Sequence, residues 1–246
     1  MIPNPIRKVL STFQNCEVRA LFMGGQACVF YGAAEFSRDT DFAILANAEN
    51  LARLRQAMAE LRAEVIAVPP LTEEYLNRGH AVHFRCHHAE APGLRVDVMA
   101  VLRGVAPFPE LWSRRTTLRT EEGSQFELLA LPDLVTAKKT QRDKDWPMVR
   151  RLIEADYAAH AQNPSPAQVR FWLCEARTPE LLLELAARFS AECAAEAQTR
   201  PLLREVRGGT SALEQALEAE QQAERARDRA YWEPLKREIE ILRHRR

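Results

Sequence analysis

Hydrophobic and polar positions change their rhythm along this chain. Up to about residue 130, short apolar runs alternate with amphipathic stretches. Pro5 to Cys16 predicts an amphipathic helix with Pro5 in its first turn, and Val18 to Met23 predicts a strand that breaks at Gly24-Gly25. Gln26 to Tyr31 reads as a helix stopped by Gly32, and Asp41 to Leu45 as a second strand. Leu51, Leu54, Met58 and Leu61 recur at three- and four-residue spacing, which predicts a helix over Ala48 to Ala63. Glu64 to Val68 reads as a short strand closed by Pro69-Pro70. Ala81 to Cys86 and Leu94 to Val101 read as two strands joined by a hairpin over 89–93, and Glu127 to Leu131 as a last one.

Beyond that point the pattern is helical. Asp133 predicts an N-cap for a helix to about Gln141, and Lys144 to His160 continues the period. Asn163-Pro164-Ser165-Pro166 is the clearest linker signal, with further breaks at Thr178-Pro179, Arg200-Pro201 and Arg207-Gly208-Gly209. Leu213 to Arg229 is so charged that a solvated amphipathic helix explains it better than a nucleic-acid stripe. The fold class expected is α+β, a mixed α/β domain over 1–131 followed by a helical region over 132–246.

The chemistry concentrates in three carboxylates. Asp39 and Asp41 lie two apart at the start of an apolar strand, and side chains two apart share a face. Acidic residues are poor strand formers, so either they serve a site or Asp39 caps a turn while Asp41 faces solvent. Asp97, the third carboxylate, interrupts a separate apolar strand, where an unpaired buried charge is costly. Either Arg95 pairs with it at i,i+2, or Asp97 joins Asp39 and Asp41 around a cation. An oxygen-lined site of this kind suits magnesium or manganese. Gly24-Gly25, between a strand and a helix, allows close backbone approach to a phosphate, although such turns also occur without ligands.

Lys138, Arg142 and Asp145 fall at spacings of four and three, sharing one helix face if the helix runs on. There the cations either meet triphosphate oxygens or form surface ion pairs. Cys86, His87 and His88, with His80 and His83, fit no standard zinc spacing.

Composition narrows the class of protein rather than its activity. The chain has 246 residues, 46% of them hydrophobic, enough for one large domain or two modest ones. Its 34 basic and 34 acidic residues cancel, which argues against generic duplex binding but leaves room for a local basic groove. The apolar runs are too short to span a bilayer, and the first residues lack the layout of a secretory signal. Five dispersed cysteines without a CxxC pair predict reduced thiols and a cytoplasmic location.

Taken in order, Gly24-Gly25-Gln26-Ala27, Phe36-Ser37-Arg38-Asp39-Thr40-Asp41-Phe42, Asp97, and Lys138 with Arg142-Asp143-Lys144-Asp145 resemble the nucleotidyltransferase superfamily related to DNA polymerase beta. The nearest flavour is the AbiEii-type toxins and similar nucleotidyltransferase-like proteins, over roughly residues 18 to 155. The resemblance implies a mixed sheet flanked by helices, with a helical domain closing one side of a cleft. It implies that Asp39, Asp41 and Asp97 hold magnesium, with Asp97 also helping to deprotonate an acceptor hydroxyl. Gly24, Gly25, Gln26, Ser37, Arg38, Lys138 and Arg142 would bind the nucleotide. The implied reaction moves a nucleoside monophosphate from an NTP to a hydroxyl, on a tRNA 3′ end or on a small molecule such as an aminoglycoside. A cognate antitoxin is the further partner such toxins imply. A non-catalytic nucleotide- or partner-binding protein on this fold is the alternative. Gln26 stands where serine or threonine is frequent, and Glu35 where arginine is. Arg114, Arg115 and Arg119 are the candidates for an RNA-binding groove.

Overall fold

The structure is a computed structural model that describes residues 4–34, 40–119 and 125–244. Its strands are β1 (Ala20–Met23), β2 (Thr40–Ile44), β3 (Glu64–Val65), β4 (Val82–Arg85), β5 (Arg95–Met99), β6 (Thr116–Arg119) and β7 (Gln125–Leu128). They form one mixed sheet in the order β3-β4-β5-β2-β1-β7-β6. β2 runs parallel to β5 and β1 parallel to β7, while the other neighbours are antiparallel. The expected mixed sheet flanked by helices is therefore present.

The central strand β1 is apolar and buried on both faces, and β2 and β5 add apolar residues to one of them. Phe22 of β1 stands opposite Phe42 of β2, their ring centroids 5.1 Å apart. Phe13 of helix α1 (Asn4–Asn15) reaches the same ring at 4.6 Å, so this helix covers that face. In β5, Val96 and Val98 are buried while Arg95, Asp97 and Met99 are half-buried. Helix α2 (Gly24–Phe30) starts directly after β1, two residues earlier than expected, because Gly24 at φ +71° turns the chain at once.

Helix α3 (Ala48–Glu60) buries Leu51, Leu54 and Met58 as the spacing predicts. Its Asn50, buried, ties the start of β1 to the end of β2. The side chain accepts from Arg19 N–H at 2.7 Å and donates to the carbonyls of Arg19 at 3.1 Å and Leu45 at 2.8 Å.

Elsewhere the elements depart from the pattern. The strand expected to Val68 ends at Val65, with one further bond from Ile66 N–H to His83 O before prolines that cannot donate. Helices α4 (Glu73–Asn77) and α5 (Phe108–Ser113) and strand β6 are additional. Asp133 is not an N-cap. Helix α6 (Leu131–Lys138) starts ahead of it, and both its oxygens accept from Arg114, at 2.7 Å from Nε and 2.7 Å from Nη2.

The chain divides into two compact units, one of Met1–Phe30, Ala34–Ala137 and Tyr231–Arg246, the other of Tyr31–Ala33 and Lys138–Ala230. Within the first, Glu238 Oε2 lies 2.7 Å from Nε2 of the buried His80. The second is helical: α7 (Asp145–His160), α8 (Pro166–Glu175), α9 (Pro179–Arg188), α10 (Ser190–Glu196), a 3-10 stretch Pro201–Gly208, and α11 (Gly209–His244) as far as Ala230. The Asn163-to-Pro166 signal is an interhelical turn in which Ser165 and Gln168 form a capping box at the start of α8. Trp172, Leu182, Leu185 and Leu213 are fully buried there. Among the described residues no helix is long and apolar enough to cross a membrane.

Candidate active site

The strand registers bring four residues into one row. Met23 of β1 pairs with Asp41 of β2, Asp41 with Asp97 of β5, and Asp97 with His83 of β4. Directly paired residues point to the same face, so Asp41, Asp97 and His83 share the side opposite Phe42, Val96 and Val98. Adjacent strands lie about 4.8 Å apart, which brings the two carboxylates within reach of one small cation.

Gly24 closes on this row from the strand end. A Cβ built on it would sit 2.6 Å from Cγ and 2.7 Å from Cβ of Asp41, and closer still to Oδ2. Only a residue without a side chain permits that approach, and the positive φ adds a second reason for glycine.

Asp97 is 14% exposed at its side chain and is gripped on one oxygen. Arg95 Nε donates to Oδ1 at 2.8 Å, and His83 Nδ1 lies 2.9 Å from the same oxygen. Burial pushes the Asp97 pKa up, but hydrogen bonds from His83 and Arg95 outweigh it and hold the group below the usual carboxylate range. Asp97 is therefore anionic at neutral pH. The expected Arg95 pairing is present, and His83 joins it.

Asp39, Ser37 and Arg38, with Glu35 and Phe36, lie outside the described residues. Gly25 sits in the first turn of α2, and Gln26 is buried with no partner for Oε1 among the described residues. Lys138 and Arg142 do not share a helix face, because α6 ends at Lys138 and α7 begins at Asp145. They meet instead on Asp145, Lys138 Nζ at 3.2 Å from Oδ1 and Arg142 Nε at 2.7 Å from Oδ2. Burial pushes the Asp145 pKa up, and Lys138, Thr140 and Arg142 together bring it below its ordinary value.

The arginines considered for RNA are also partly engaged. Arg114 is held by Asp133, and Arg115 donates to Glu127 at 2.8 Å while stacking 4.3 Å from the Trp112 ring centroid. Arg119 is exposed. The histidines once grouped with Cys86 are dispersed: His80 meets Glu238, His87 meets Glu64, and His88 Nδ1 accepts from Glu90 N–H.

Among the described residues no group of three or more His, Cys, Asp or Glu is placed to hold a metal, so the described part of the site is the Asp41–Asp97 pair. That pair fits magnesium nonetheless, since this ion commonly takes one or two carboxylates together with the phosphates of a substrate. Sequence reading found both carboxylates and the glycine. His83, grouped in the sequence with Cys86 and the other histidines, stands instead opposite Asp97, and its local signal is its alternation with Val82 and Phe84 in β4. No protein-family model matches the chain, and no curated protein matches it in sequence.

Proposed function

We propose that the chain is a magnesium-dependent nucleotidyltransferase. It moves a nucleoside monophosphate from an NTP to an acceptor hydroxyl and releases pyrophosphate. One observation carries this reading: Asp41 and Asp97 stand directly opposite each other on parallel strands, with the Gly24 backbone pressed against Asp41. Asp41 and Asp97 hold the ion, and Asp39 is the third ligand by resemblance. Magnesium, when bound, neutralises phosphate charge and lowers the pKa of a coordinated hydroxyl. The depressed pKa of Asp97 suits it to ligation rather than to proton uptake, because a weaker base accepts a proton less readily. Gly24 and Gly25, at the turn from β1 into α2 beside Asp41, would offer backbone N–H groups to the triphosphate. The acceptor oxygen bonds to the α-phosphorus as the bond from that phosphorus to the α–β bridging oxygen breaks; pyrophosphate leaves with that oxygen, and the hydroxyl proton passes to solvent.

The neutralisation of Arg114 and Arg115 by Asp133 and Glu127 favours a small hydroxyl acceptor over a tRNA 3′ end. A toxin role with a cognate antitoxin belongs to the tRNA outcome. A second reading, a nucleotide- or partner-binding protein without catalysis, draws on Lys138 and Arg142 both being engaged by Asp145.

The test is magnesium-dependent incorporation of labelled NTPs, one base at a time, into total tRNA and into a panel of small hydroxyl compounds including aminoglycosides. Label entering one class, lost in Asp41→Ala and after chelation, supports the transferase and chooses its acceptor. Nucleotide binding without any transfer favours the second reading. Neither binding nor transfer removes both.

A further inference from the structure

Across the sheet, Asp97 is bracketed by two register partners, Asp41 on β2 and His83 on β4. The contacts it receives from His83 and Arg95 both end on Oδ1. A carboxylate turns easily about its last torsion, so a fixed donor on one oxygen decides where the other points. The two donors differ in stiffness. Arg95 is a long side chain, 41% exposed, whereas His83 is a short rigid ring, 26% exposed, on a paired strand.

His83 Nδ1 also lies 3.0 Å from Arg95 Nη2. A guanidinium only donates, so a bare Nδ1 favours Arg95 and a hydrogen on Nδ1 favours Asp97. With the hydrogen on Nδ1, Oδ1 accepts from two donors.

We propose that His83 is a positioning residue: through Nδ1–H it fixes Oδ1 of Asp97 and so presents Oδ2 to the divalent cation that Asp97 shares with Asp41. This inference rests on the transferase reading and extends the site by a residue that lies outside its acidic and glycine motifs. Groups that orient metal ligands in this way typically change metal affinity by 10- to 100-fold when removed.

The choice of substitution separates positioning from packing. Asparagine carries an amide N–H at the reach of Nδ1, glutamine carries one farther out, and leucine fills the space without a donor. The probe is manganous ion alone, titrated into the full chain and its His83→Leu, His83→Asn and His83→Gln variants. Free ion is read by electron paramagnetic resonance, and folding by thermal unfolding. The expected result is affinity weakened about tenfold in H83L, largely restored in H83N and not restored in H83Q. Should H83L not fold, the contrast of H83N with H83Q decides. Unchanged affinity in H83L, or H83N no better than H83Q, overturns the positioning role and leaves the transferase reading standing. A wild-type chain that binds no manganese overturns both.

Discussion

Gly24→Ala probes the approach of the backbone to Asp41. The added Cβ would lie 2.6 Å from Cγ and 2.7 Å from Cβ of Asp41. Carbon atoms in ordinary contact sit about 3.5–4.0 Å apart, so roughly 1 Å of displacement must be absorbed. The strand pairing of Met23 with Asp41 restrains both backbones, so the displacement falls on the Asp41 side chain. Holding alanine at a φ of +71° adds strain of about 1–2 kcal/mol.

Gly93→Ala is the matched control. Gly93 has the same φ of +71°, and its added Cβ meets nothing within 4 Å. G93A should therefore lose about 1–2 kcal/mol, a fall in Tm of roughly 2–8 °C for a chain of this size, and G24A more, because the contact with Asp41 adds to the same backbone strain. Only G24A should lose transfer, by about 100-fold, the order expected for a displacement of ~1 Å at a reacting centre. Calorimetry measures the first effect, and labelled-NTP incorporation the second. A G24A protein that transfers as fast as G93A would refute the claim that the position of the Asp41 carboxylate matters to the reaction.

Three other substitutions test the supports of the two units. Asp145→Asn leaves the buried Lys138 without its counter-charge and should destabilise by about 3 kcal/mol in denaturant melts. Because the folded-state pKa of Asp145 is depressed, its stabilisation is complete above about pH 4 and is lost as pH falls through the folded value. Wild type should accordingly lose its advantage over D145N below that pH in acid-unfolding curves. Asn50→Ala removes three hydrogen bonds that join Arg19 and Leu45, and a loss of about 2–4 kcal/mol should appear in thermal unfolding. Arg200→Leu leaves Glu220 with Arg177 as its remaining arginine partner and removes the donors to the carbonyls of Leu173 and Ala176, so a loss of about 2–4 kcal/mol is expected, read by urea unfolding followed at Trp172.

What the sequence made legible was what period and local chemistry decide. The period of Leu51, Leu54 and Met58 located α3, and an acid inside an apolar run located both β2 and β5. What it left hidden depends on register, which no single strand carries. Nothing near His83 says that it will stand opposite Asp97, because that follows from how the 86–94 turn sets β4 against β5. The spacing of Lys138 to Asp145 predicts one helix face only if the helix runs on, yet the chain leaves the helix after Lys138. Asp145, the first residue of α7, then gathers Lys138, Thr140 and Arg142. Asp133 looked like a cap because its residue type is common there, but Arg114, nineteen positions earlier, takes both its oxygens.

The treatment of Asp97 as either a partner of Arg95 or a ligand also needs revision. An ion pair and a cation site exclude each other only if they compete for the same oxygen. Here Arg95 donates to Oδ1 with His83 Nδ1 2.9 Å from the same oxygen, and these two neighbours keep the carboxylate ionised despite its burial. A buried carboxylate without such donors would be driven towards its neutral form, a poor ligand for magnesium. The guanidinium still weakens the pull on a divalent ion, but Asp41 stands opposite with a second carboxylate in the same row. The pairing seen at Asp97 is thus a condition under which a buried acid stays available to a cation. Removing His83 while keeping Arg95 tests which of the two donors sets that condition.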